Sequence, residues 1–168
     1  MLEIPFVKFE TSFIDDPLNR PSLTMWVAGC PFNCKGCQNP ELRDATIYDK
    51  VSLEKVIEEA KYLIKSSGNF YQSISLIGGD WGLYPDALYE VCAQVTDIDK
   101  VLYTGYLFEQ LPERVRHVVT YVIDGQYDDT CLSVFPASSN QNVYYNGSRV
   151  NPATLPIYER ISKTILGV

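Results

Sequence analysis

The sequence predicts an α/β fold: a single-domain partial (βα) barrel on a mostly parallel sheet, with its chemistry at the C-terminal ends of the strands. Three observations predict it. Strand-like and helix-like hydrophobic patterns alternate along the chain. Glycine, cysteine and aspartate gather just after successive strand-like runs. At 168 residues the chain can bury one core, but it is short of the roughly 250 residues of a closed eight-stranded barrel.

The elements follow in order. Leu23–Val27 (Leu-Thr-Met-Trp-Val) reads as the first strand. Leu53, Val56, Ile57, Ala60, Leu63 and Ile64 recur at helical spacing and predict a helix over Leu53–Lys65, with Ser52 as its N-cap and Gly68 as its stop. Ser73–Ile77 reads as the second strand, and Leu88, Val91, Cys92 and Val95 form the apolar face of a helix over Asp86–Val95. Val101–Thr104 and Val118–Ile123 supply two more strands. Strand, helix, strand in this rhythm implies parallel pairing with right-handed crossovers. In such sheets ligands gather beyond the C-terminal strand ends. From Tyr127 onward the periodicity fades, leaving a late strand at Val143–Tyr145 and a short helix over Ile157–Ile165.

The formal net charge is -7, without the clustered Lys and Arg that phosphate neutralisation requires, so nucleic acid is not an expected partner. No run approaches about 18 consecutive apolar residues, so no membrane association is expected. The N-terminal stretch from Met1 to Glu10 lacks the charged-then-apolar layout of a signal peptide, and the expected location is cytoplasmic.

Five cysteines is an odd number, and Cys30, Cys34 and Cys37 crowd together while Cys92 and Cys131 lie far off. In a reducing compartment such crowding favours metal binding or redox chemistry over disulfides. The loop Gly29-Cys30-Pro31-Phe32-Asn33-Cys34-Lys35-Gly36-Cys37 offers three soft thiolates at the spacing that suits three irons of a [4Fe-4S] cluster. The fourth iron then has no cysteine and keeps an open position. S-adenosyl-L-methionine can fill it through its amino and carboxylate groups, beside a reducible cluster. Gly29 and Gly36 allow close backbone approach, and Gly36 leaves room for an adenine edge. The rival metal is zinc, which wants four ligands, whereas the chain adds only His117 to the triplet. Inert thiols are the third alternative for the triplet, and burial is the expected fate of Cys92 on its helix face.

With those residues in view, the chain resembles the radical S-adenosylmethionine superfamily, and within it the activating enzymes of anaerobic (class III) ribonucleotide reductase. The run from Trp26 to Pro40 carries the resemblance first, including the glycine before the third cysteine. Gly78-Gly79-Asp80, Tyr103-Thr-Gly-Tyr106, Val122-Ile-Asp-Gly-Gln-Tyr127 and Ser138-Ser-Asn-Gln141 follow in the family's order. They define a core of about residues 20–142 within one domain, with a C-terminal extension of about 143–168. The resemblance implies Cys30, Cys34 and Cys37 as catalytic cluster ligands. It implies cofactor contacts from Gly36, Cys37, Gln38, Gly78, Gly79, Asp80, Thr104 and Asp124. The implied reaction is reductive cleavage of S-adenosylmethionine and hydrogen abstraction from a glycine, as in the activating enzyme of formate C-acetyltransferase. The implied partners are the large subunit of anaerobic ribonucleotide reductase, as protein substrate, and a one-electron donor such as a flavodoxin. Another small radical enzyme or maturase is the alternative, as is a non-enzymatic metal-binding subunit. Asp80 also fits a second role as a cap for the element that follows it. The chain departs from the family pattern at Trp81, where proline is common, and Arg20 has no assigned role.

Overall fold

The computed structural model describes residues 1–155; the helix expected over Ile157–Ile165 lies outside them. In chain order the strands and helices are β1 (Glu3–Ile4), β2 (Phe6–Ser12), β3 (Ser22–Val27), β4 (Val51–Ser52), α1 (Leu53–Ser66), β5 (Ser73–Gly78), α2 (Pro85–Gln94), β6 (Asp99–Tyr103), α3 (Glu113–Val118) and β7 (Tyr121–Asp124). The segment beyond adds β8 (Ser133–Val134), β9 (Ala137–Ser138), β10 (Asn142–Tyr145) and β11 (Ser148–Val150). Seven of the strands form one sheet in the order β11-β10-β7-β6-β5-β3-β2. Its four central strands, β7, β6, β5 and β3, run parallel, while β2, β10 and β11 join antiparallel at the edges. The expected α/β architecture is present, with a mixed sheet.

Alternation along the strands divides the core. Leu23, Met25 and Val27 of β3, Ile74 and Leu76 of β5, Leu102 of β6 and Val122 of β7 join one buried cluster with Leu53, Val56, Ile57 and Ala60 of α1, Ala87, Leu88, Val91 and Cys92 of α2, and Val115 of α3. Each such aliphatic side chain removed from water contributes about 1.5–3 kcal/mol. The residues between them, Val101, Tyr103, Tyr121 and Ile123, face a second cluster with Leu18, Phe135, Ala137, Val143 and Leu155. Helices therefore cover one face of the sheet, and loops cover the other.

Two local expectations are corrected. Val118 ends α3 and does not begin a strand: the Val119 N–H bonds the Val115 carbonyl, closing the helix, and the strand begins at Tyr121. Ser52 occupies the N-cap position of α1, but its side chain makes no capping bond. That residue pairs with Glu3 in the β1–β4 ladder, and the Leu2 carbonyl accepts the Leu53 N–H. Gly68 follows the end of α1 at φ +62°, a left-handed position that suits glycine and stops the helix.

Candidate functional site: the rim of the parallel strands

The cysteine loop leaves β3 and is fixed from both sides by backbone bonds. The Gly29 N–H donates to the Leu42 carbonyl at 2.7 Å, the Cys30 N–H to the Arg43 carbonyl at 3.1 Å, and the Cys37 N–H to the Cys34 carbonyl at 3.2 Å. Gly29 sits at φ +95° and Gly36 at φ +71°, conformations that L side chains avoid. A Cβ on Gly36 would collide with the side chain of Asp129. Behind it, the Asp129 N–H donates to the Lys35 carbonyl at 3.2 Å, so residues 128–131 brace the loop. Cys30, Cys34 and Cys37 are each half-buried thiols. Burial pushes the Cys30 thiol up, with Asp80 and the other two cysteines acting in the same sense.

The second loop is joined to the first by contacts that only glycine permits. The Gly79 N–H donates to the Val27 carbonyl at 2.6 Å and the Asp80 N–H to the Gly29 carbonyl at 2.8 Å. A Cβ on Gly79 would lie 2.3 Å from the Gly29 carbonyl oxygen, and one on Gly78 would lie 2.4 Å from that of Val27. Asp80 is buried, and its carboxylate is bound on both oxygens. Oδ1 accepts from the Gly82 N–H and the Thr104 hydroxyl, and Oδ2 from the Gly105 N–H, each at 2.8 Å. Burial pushes this carboxyl above its ordinary range against the pull of those three donors. Asp80 thus caps the turn that follows, as the sequence allowed, and also ties the β5 loop to the β6 loop. Trp81 points away from the rim: it is fully buried in the helix-side cluster, and its Nε1–H donates to the Met25 carbonyl at 2.9 Å.

These loops surround a cavity of about 630 Å³. Cys30, Cys34, Cys37 and Gln38 reach it from the first loop; Gly78, Gly79 and Asp80 reach it from the second, and Thr104 from the third. Two expected contacts are absent from its wall. Gly36 faces Asp129. Asp124 is fully buried and spends both oxygens on the scaffold: Oδ2 accepts the Phe108 N–H at 2.7 Å, and Oδ1 accepts from the Asn142 N–H at 3.1 Å and its Nδ2–H at 2.8 Å. The Ser138–Gln141 stretch supplies Ser138 and Gln141 to the wall, and the Gln141 Nε2–H donates to the Gly125 carbonyl at 2.9 Å. Sequence patterning missed Phe32, which lines the cavity and packs edge-on against Tyr106 with centroids 4.9 Å apart. It also missed Asp15 and Asn19, which come from the loop after β2. Arg20 forms ion pairs with Asp16 at 2.9 Å and Asp99 at 2.8 Å, so it fastens that loop to β6.

His117 is exposed on the last turn of α3 and does not line the cavity. Among the described residues, no three His, Cys, Asp or Glu side chains converge on a single metal-ion position. No helix among them is long and apolar enough to cross a membrane.

A family model described as a 4Fe-4S single cluster domain matches residues 20–144. The anaerobic ribonucleoside-triphosphate reductase-activating protein of Vibrio cholerae is 30% identical over 128 residues, covering 67% of this chain and 79% of that protein. The chain belongs to the 4Fe-4S single-cluster family and to that of the reductase-activating proteins. The activating protein of Haemophilus influenzae is similar too, at 28% over 138 residues, 72% of this chain and 85% of its own. A 7-carboxy-7-deazaguanine synthase of Methanothermobacter thermautotrophicus is 28% identical over 123 residues, covering 72% of this chain and 48% of that protein. The family resemblance legible in the motifs is borne out, and with it the iron–sulfur assignment.

Proposed function

We propose that this activating-protein relative cleaves S-adenosylmethionine reductively and installs a glycyl radical on anaerobic ribonucleotide reductase. The observation that carries the reading is the convergence of Cys30, Cys34 and Cys37 with Gly78, Gly79, Asp80 and Thr104 on one cavity at the ends of β3, β5 and β6.

The donor set fits a cubane. A mononuclear zinc site needs its ligands to meet at one point, whereas a cluster takes each thiolate on a separate iron and accepts three cysteines spread around one loop. When bound, the cluster would supply the one-electron reduction that cleaves S-adenosylmethionine and so makes possible hydrogen abstraction from a glycine Cα. This chain's residues do the holding. Cys30, Cys34 and Cys37 ligate. Gly78 and Gly79 offer backbone at the cavity wall where side chains would obstruct, and Gln38 and Thr104 present polar groups beside them. Asp80 provides negative charge for the cofactor's ammonium while its own oxygens keep the two loops in register. Gly36 and Asp124 act as scaffold: Gly36 admits the Asp129 brace, and Asp124 joins β7 to β10.

In this reading the described residues form one domain of partial-barrel form, located in the cytoplasm, with a flavodoxin-like protein as electron donor. Docking of the reductase closes the cavity and excludes water from the radical. The deazaguanine synthase similarity favours a second reading, a small-molecule substrate in the same cavity. The test is anaerobic incubation of the cluster-loaded protein with the reductase large subunit, S-adenosylmethionine and dithionite, followed by electron paramagnetic resonance. The proposal expects a radical on the reductase whose hyperfine splitting collapses when its glycines are deuterated at Cα. Cofactor cleavage with no radical on the reductase would favour the second reading.

A further inference from the structure

Arg43 holds two of the three cysteines at once. Its carbonyl accepts the Cys30 N–H at 3.1 Å, and its Nη2–H donates to the Cys34 carbonyl at 3.3 Å. The residue is half-buried, and its Nε is sealed from solvent without a hydrogen-bond partner. Among the described residues it forms no ion pair. Other arginines are accounted for differently. Arg20 pairs with Asp16 and Asp99, Arg114 pairs with Asp86, and Arg116, whose Nε is also sealed, lies over the Phe108 ring at 5.5 Å.

A cation withdrawn from water without a counter-charge is costly to the fold. A cubane on three thiolates would carry net negative charge, and one more on reduction, and so would supply that counter-charge. We propose that Arg43 is a positioning residue for the cysteine loop whose guanidinium favours the reduced cluster and so sets its potential. Net charge and hydrogen bonding around the ligands are the protein's means of tuning such a potential. The inference rests on the reading that Cys30, Cys34 and Cys37 ligate the cluster.

The test compares the unaltered chain, Arg43→Gln and Arg43→Lys after anaerobic loading with iron and sulfide. Midpoint potentials come from titration followed by electron paramagnetic resonance, and cluster retention from the rate of loss to an iron chelator. Arg43→Gln is expected to shift the midpoint to a more negative potential. Arg43→Lys is expected to hold it near that of the unaltered chain while losing iron several-fold faster, because lysine keeps the charge without the rigid fork. A midpoint unmoved in Arg43→Gln, or moved equally in both variants, overturns the inference. If Arg43→Gln takes up no cluster, Arg43→Lys decides alone, and unaltered iron loss from it overturns the positioning role. A cluster that survives unchanged in Cys34→Ala refutes the ligand reading itself, separately from the role of Arg43.

Discussion

Replacing Asp80 with Asn removes one charge and one acceptor from the junction between the β5 and β6 loops while keeping the side chain's shape. Oδ1 holds the Gly82 N–H and the Thr104 hydroxyl, and Oδ2 holds the Gly105 N–H. With the amide oxygen in the place of Oδ1, the new NH2 group confronts the Gly105 N–H; the flipped amide sacrifices the other two bonds instead. A buried donor left without an acceptor costs about 1–3 kcal/mol, partly offset because the neutral amide needs no charge desolvated. For a chain of this size each kcal/mol moves the melting temperature by about 2–4 °C, so a net cost of about 1–2 kcal/mol lowers it by about 2–8 °C in Asp80→Asn. Circular dichroism during heating measures it. The pH dependence gives a second check. Burial raises the Asp80 carboxyl above its ordinary 3.8, so the folded chain binds this proton more tightly than the unfolded chain does. Its contribution to stability is greatest below that ordinary value and declines as pH rises through the raised one. Asn has no such titration, so the stability gap between parent and variant should narrow from acid toward neutral pH. An unchanged melting temperature, or a gap that widens with rising pH, would contradict this role for Asp80.

Three further outcomes follow from the same geometry. Asp124→Ala strands the buried Phe108 N–H and the part-buried Asn142 N–H and should destabilise the fold by about 2–4 kcal/mol in denaturant titration; a loss of cofactor affinity at full stability would return Asp124 to the site. Gly79→Ala drives a Cβ to 2.3 Å from the Gly29 carbonyl, so it should abolish cluster loading, read from visible absorbance, by displacing the cysteine loop. Cys92 is buried and its thiol is pushed up to about 12, so it should resist alkylation at about pH 8 in the native protein and react only on unfolding. Mass spectrometry of labelled peptides checks this last point.

The central strands and first two helices were legible because their periodicity is strong. Leu53, Val56, Ile57, Ala60, Leu63 and Ile64 fit one helical face, and β3 and β5 interleave apolar residues such as Leu23, Met25, Ile74 and Leu76 with small polar ones. β2 escaped because Phe-Val-Lys-Phe-Glu-Thr-Ser mixes charge with apolar residues, as a half-exposed edge strand does. α3 could not be delimited because six residues are too few to display a period, and its last valine read equally well as the start of a strand. At the site, cysteine spacing and the Gly-Gly-Asp loop were visible as motifs, and the cavity gathers both. Asp124 stayed ambiguous in sequence because a carboxylate at a strand end looks alike whether it meets a ligand or caps backbone donors. Asp15, Asn19 and Arg43 carried no motif; tertiary folding of the β2–β3 loop and of the 3₁₀ segment Pro40–Leu42 brings them to the rim.

The most direct test of the central claim is anaerobic reconstitution with iron and sulfide, followed by dithionite and S-adenosylmethionine and chromatography for 5'-deoxyadenosine and methionine. Both products are expected from the unaltered chain and neither from Cys30→Ala, Cys34→Ala or Cys37→Ala. A cluster-loaded protein that yields neither product, or products that persist without these cysteines, would contradict it.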